Sequence, residues 1–227
     1  MSLSIFYTAN IRGDLALLPP LYTFLKSLRE DLAHFAPEDE GEVMLCAVQP
    51  PPARTLLLDL GDSCAPDVWH CTATAGRSTL IALDAMGYHA ANVSGLLSLE
   101  SRAKLAENLM GMALVDSEHP GEVEGVLFTT LSPSVRPSAE SFGPQARLQI
   151  SLSPDATTRL TGHTLYLARV EAGQIGTAYI GGTDSDPQLL ADATFDLPAN
   201  TPPDPTISGT VDFVTNEARF FAKRQGG

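Results

Sequence analysis

Cations are scarce in this chain. Fourteen Lys and Arg residues stand against 27 Asp and Glu, which gives a formal charge of -13. A nucleic-acid binder needs clustered cations to neutralise phosphates, and binding to an anionic membrane surface needs the same. Neither is expected as a partner. Cysteine is scarcer still, with only Cys46, Cys64 and Cys71. An odd number without paired spacing predicts neither a disulfide framework nor a Cys-ligated zinc site. No stretch approaches the roughly 18 apolar residues of a membrane span. The first residues lack the basic segment and long apolar run of a secretory leader, so the expected location is cytoplasmic. No repeat of solenoid period is present. What the chain has is length: 227 residues can bury a core without a staple.

The first half alternates strand and helix patterns. Leu3 to Tyr7 is a short apolar strand, and Asn10 to Gly13 turns the chain. Leu21, Phe24, Leu25, Leu28 and Leu32 form a helical stripe behind Pro19 and Pro20. Glu38 to Glu42 is an acidic loop, and Val43 to Val48 reads as a strand. Thr55 to Leu60 is a nearly continuous apolar run, the pattern of a strand buried on both faces. Ser78 to Met86 and Leu99 to Met112 read as helices, with a strand at His89 to Val93 between them. Alternation of this kind is the mark of a layered α/β fold. After about residue 115 short β-prone runs take over, among them Val123 to Thr129, Ala146 to Leu152, Thr164 to Val170 and Gln174 to Ile180. Gly209 to Phe221 reads as a closing hairpin. The expectation is one domain over residues 1–227, with an α/β half at 1–115 and a mainly β half at 116–227.

Three motifs occur in order. Tyr7-Thr-Ala-Asn-Ile-Arg-Gly13 follows the first strand, Leu56-Leu-Leu-Asp-Leu-Gly-Asp-Ser63 includes and follows the buried strand, and Ala85-Met-Gly-Tyr-His-Ala90 precedes the third. In this order they resemble the amino-terminal domain of the 5'-nucleotidase branch of the calcineurin-like metallophosphoesterases. Gln149 to Pro154, Thr161-Gly-His-Thr-Leu165 and Val170 to Gly176 follow the family's later motifs in order only. The resemblance reaches the amino-terminal domain only, and these 227 residues are not expected to include the larger carboxy-terminal substrate domain of nucleotidases. The resemblance implies a four-layer α/β/β/α sandwich, with loops 9–13, 61–77 and 94–98 gathered at the carboxyl ends of the strands.

It also implies a pair of metal ions that bind phosphate and activate a water. The ligand positions depart from that pattern. The family's first Asp falls on Asn10 and its His on Arg12, which has no lone pair to give. Asp62 keeps the bridging carboxylate position. The third motif's Asn and His fall on Gly95 and Leu96, next to Ser94. The fourth motif's His falls on Pro154. Of the last two, one falls on His163 and the other on Leu165. Asn10, Asp62 and His163 are too few for a dinuclear site, so no cofactor is expected. These three would support at most one divalent metal held with waters.

The expected function is that of a degenerate, non-catalytic metallophosphoesterase-like domain that binds a small anionic ligand or a protein partner. One alternative is a metal-dependent phosphoesterase with a reduced or rearranged site. Another is a small-anion binding module that uses Arg12 and Arg77, the latter at a helix start. Asn10, Arg12, Asp62, Ser94 and His163 would line the residual cleft, and Arg12 would pair with Asp62 in place of the lost metals. His70, His89 and His119 follow no ligand spacing. Asp184, Asp186, Asp192 and Asp196 lack the terminal Glu of a calcium loop.

Overall fold

The computed structural model describes residues 2–34, 54–107, 111–130 and 148–225. The acidic loop and strand expected between 38 and 48 lie outside these residues. Strands β1 (Leu3–Thr8), β2 (Arg54–Asp59), β3 (Ala90–Asn92) and β4 (Ala113–Val115) run parallel, with helices α1 (Leu18–His34), α2 (Trp69–Ala73), α3 (Arg77–Ala85) and α4 (Leu99–Ala106) along the connections. Then come β5 (Gly121–Val123), β6 (Val126–Thr129), β7 (Gln149–Asp155), β8 (Arg159–Thr161) and β9 (Thr164–Ala168). The chain ends in β10 (Gln174–Thr183), β11 (Asp186–Asp196) and α5 (Pro205–Gln225). One sheet has the order β11-β10-β1-β2-β3-β4 and the other β5-β6-β7-β9-β8. Within the second sheet β6, β7 and β9 are parallel, and β5 and β8 are antiparallel edges.

Side-chain alternation along each strand assigns its residues to one of two cores. Ile5, Tyr7, Leu56 and Leu58 face the second sheet and pack with Phe128, Ile150, Leu165 and Leu167. Phe6 and Leu57, one residue out of phase, face the helices and pack with Leu21, Leu25, Leu80, Leu83, Ile207 and Val214. This double coverage explains why β2 reads as a continuous apolar run.

The expected closing hairpin is instead α5, of 21 residues. Ile207, Val214 and Ala218 are fully buried at helical spacing, and Val211 packs beside them. The β-branched residues Thr206, Ile207, Thr210, Val211, Val214 and Thr215 gave the segment its strand-like look, and the buried stripe overrides that propensity. The Asp204 carboxylate accepts from the backbone N–H groups of Thr206 and Ile207 at 2.9 and 3.0 Å, and Pro205 takes the first helical position. The expected helix from Leu99 to Met112 is shorter, ending at Ala106.

The second half therefore does not stay apart. It contributes β10, β11 and α5 to the first sheet and its helical layer.

Candidate functional site

The carboxyl ends of β1 and β2 continue side by side as loops. Leu60 donates to Thr8, Asn10 to Gly61, Arg12 to Asp62 and Gly13 to Ser63, all backbone to backbone at 2.8–3.0 Å. Keeping this pairing beyond the strands requires sharp turns. Asn10, Arg12 and Asp62 all take positive φ, at 57°, 52° and 55°. Three non-glycine residues in this region at one rim is backbone strain of the kind that collects at functional sites.

Asn92, the last residue of β3, ties the floor together. Its amide donates to the carbonyl oxygens of Leu60, just after β2, and Leu152, in β7 of the other sheet, at 3.1 and 3.2 Å, and its Oδ1 accepts from the N–H of Ser94. Gly61 is required beside it, because a Cβ there would meet the Asn92 amide nitrogen at 3.2 Å with φ at +114°. Asn10 donates to the carbonyl of Val170 at 2.7 Å, across from the first sheet to the segment after β9. The result is a cavity of about 160 Å³ lined by Asn10, Asp62, Asn92, Ser94, Pro154 and Arg169 among others. It shares Asp62, Asn92 and Ser94 with a larger cleft of about 400 Å³ that runs past Cys64, Cys71, Gly76 and Leu96.

Asn10, Asp62 and Ser94, all singled out from the sequence, thus meet at one cavity. His163 does not join them. It precedes β9, and its carbonyl accepts from Gln149 at the start of β7, so it lies at the amino ends of these parallel strands. The cavity lies at their carboxyl ends, roughly 20 Å of strand away. The expectation that His163 lines the cleft is therefore not met.

The expected Arg12–Asp62 ion pair is also absent among the described residues. The two are joined through their backbones, and both side chains are exposed. Arg77 is engaged elsewhere. Its guanidinium pairs with Glu217 of α5 at 3.2 Å and lies over the Phe221 ring. The helix start it occupies is spent as well, since the N–H of Arg77 bonds Thr74 O and that of Ser78 bonds Thr74 Oγ1.

Two features were missed from the sequence. Arg169, the residue directly after β9, lines the cavity. The available signal was its place after a parallel strand, where ligands gather in open α/β sheets. The second is a disulfide between Cys64 and Cys71, seven residues apart. This overturns the expectation from the odd cysteine count. His70, between them, is buried and bonded through both ring nitrogens, to Ser78 Oγ and Gly13 O at 2.8 Å each. His89 accepts from the N–H of Leu57 through Nδ1, and His119 contacts Asp116.

Beneath the site lies Asp59, fully buried at the end of β2. Burial pushes its carboxyl up to about 7, against hydrogen bonds from Ser63 and the Gly61 backbone, and the Asp62 charge raises it further. Its Oδ1 has no hydrogen-bond partner.

No protein-family model matches this chain, and no curated protein matches it. A solved structure does: the calcineurin-like phosphoesterase YfkN from Bacillus subtilis superposes with a TM-score of 0.53 at 11% identity. The match covers 97% of this chain and 99% of that one. The fold is therefore the α/β sandwich of the metallophosphoesterase type. No described helix is long and apolar enough to cross a membrane.

The cavity's side chains do not fit the dinuclear metal pair that this fold class implies. The lining offers one carboxylate, Asp62, and no imidazole, and it adds the cation Arg169. Two hard or borderline cations need several anionic or imidazole donors and are repelled by a guanidinium. Among the described residues, the one cluster of three His, Cys, Asp or Glu side chains with converging donor atoms is Cys64, His70 and Cys71.

Proposed function

We propose that this chain is a degenerate metallophosphoesterase domain of the 5'-nucleotidase branch whose cleft binds a small anionic ligand without hydrolysing it. The observation that carries this reading is Arg169 at a cavity whose other polar side chains are Asn10, Asn92, Ser94 and one carboxylate. A guanidinium recognises a phosphate or carboxylate head group bidentately, and amides and hydroxyls complete its hydrogen bonds. The cation expected at Arg12 is supplied here by Arg169. The head group occupies the smaller cavity, and the larger cleft takes the rest of the molecule past Ser94 and Leu96.

A disulfide persists in an oxidising compartment. The Cys64–Cys71 bond therefore favours such a location over the cytoplasmic one the sequence suggests.

Titration calorimetry with inorganic phosphate and with a nucleoside 5'-monophosphate tests the binding. The expected result is saturable heat that Arg169→Ala weakens by about tenfold or more, while Arg12→Ala weakens it less. Absence of binding to both ligands, or binding unchanged in Arg169→Ala, would reject the reading.

A further inference from the structure

The Cys64, His70 and Cys71 cluster lies outside the cavity that takes the anionic head group. An imidazole nitrogen and both sulfurs lie within 4.8 Å of one another. All three residues are buried, and the two cysteines also line the 400 Å³ cleft, so the sulfurs have a route to solvent.

The neighbours are arranged around these donor atoms. A Cβ at position 13 would sit 2.7 Å from Cys71 Sγ and 3.2 Å from His70 Cε1, so only glycine leaves room there, and its φ of +81° suits glycine alone. The Gly13 carbonyl can only accept, so His70 Nε2 carries the proton that bonds it. Nδ1 is left with the lone pair, which now accepts from the Ser78 hydroxyl. An imidazole held by a backbone carbonyl through one nitrogen, with the other nitrogen basic, is the arrangement of a metal-ligating histidine.

We infer that Cys64, Cys71 and His70 form a redox-gated zinc site. As the disulfide, the two sulfurs are spent on each other and bind no ion. A dithiol reductant transfers two electrons and two protons, becomes a disulfide itself, and leaves two cysteine thiols. Zn(II) then displaces both thiol protons and takes the lone pair of His70, and Ser78 gives up its bond to the ring. Two thiolates and one imidazole are a donor set for tetrahedral zinc, with sulfurs at about 2.3 Å from the ion and a fourth position left open.

The test uses the full chain carrying Cys46→Ser, so that the third cysteine cannot supply a thiolate. One sample stays oxidised. Another is reduced with a water-soluble phosphine, which takes its oxygen from water. Each is exposed to Zn(II), desalted and analysed for metal, and Co(II) serves as a parallel optical probe. The reduced chain should retain about one zinc per chain. It should show a thiolate-to-cobalt charge-transfer band and melt at a higher temperature with zinc than without. The oxidised chain should show none of these. Cys71→Ser should abolish the band, and His70→Gln should weaken zinc binding by about tenfold or more. His70→Gln can destabilise the fold, so Cys71→Ser carries the decision where that variant does not fold. Equal zinc retention by the oxidised and reduced chains, or a reduced chain that binds none, would overturn the proposal. Neither result bears on anion binding at Arg169, which is read in the oxidised protein.

Discussion

The Asn10 side chain donates to the carbonyl oxygen of Val170 at 2.7 Å, joining the loop after the first strand of one sheet to the end of the last parallel strand of the other. A metal-ligating carboxylate could not make this bond, because an ionised carboxylate has no hydrogen to give and would face the carbonyl oxygen. Asn10 thus serves as a brace across the cleft. Asn10→Asp suits the positive φ, yet it should destabilise the protein by about 1–3 kcal/mol. Chemical denaturation measures it. An unchanged midpoint would mean that the bond contributes nothing.

Arg12 and Asp62 share a backbone hydrogen bond and no ion pair. Their exposed side chains should act independently. Arg12→Ala and Asp62→Asn should each cost under about 1 kcal/mol, and their double-mutant coupling should be near zero. A coupling well above about 1 kcal/mol would show that the two charges meet in solution.

Asp59 ties stability to pH. Its folded carboxyl titrates near 7, against 3.8 for the ordinary group, so the folded state holds its proton more tightly than the unfolded chain. The resulting stability is fully present below pH 3.8 and is lost as pH rises through about 7. An upper bound on the loss is roughly 4 kcal/mol. Asp59→Asn keeps an acceptor for Ser63 and cannot ionise. The difference in melting temperature between it and the parent chain should therefore grow in the variant's favour from pH 4.5 to about 7.5 and then level off. A difference independent of pH would show that Asp59 titrates normally.

Asp204 caps α5 and also pairs with Lys26 at 2.5 Å. The cap satisfies two backbone donors at a buried helix start, whereas Lys26 is half exposed. Asp204→Ala should cost about 1–2 kcal/mol and Lys26→Ala under about 1 kcal/mol. Equal losses in denaturation midpoint would mean that the ion pair, and not the cap, holds the helix.

The sequence made the first half legible because its strands and helices announce themselves by period. β1 and β2 are apolar runs bounded by turns, and α1 carries its stripe at Leu21 and Leu25. The carboxyl ends of such strands then located Asn10, Asp62 and Ser94 at one cleft. What failed were features that depend on contacts far apart in the chain. α5 is helical because Ile207 and Val214 find a hydrophobic face on α1 and α3, which its own β-branched residues do not reveal. Arg169 enters the site only because β9 runs parallel to β7, and the same direction carries His163 away. The disulfide needed Cys71 turned back toward Cys64 by α2, a geometry that cysteine counting does not contain.

Hydrolysis in the presence of metal tests the central claim most directly. The purified chain and its Asp62→Asn variant are assayed side by side on p-nitrophenyl phosphate and a nucleoside 5'-monophosphate, with Mn(II) or Zn(II) in excess. The cavity is lined by one acidic residue, no histidine and one arginine, so release of phosphate by the chain should not exceed that of the variant with either metal. Metal-dependent turnover by the parent chain that Asp62→Asn abolishes would contradict this and make the cleft a working phosphoesterase centre.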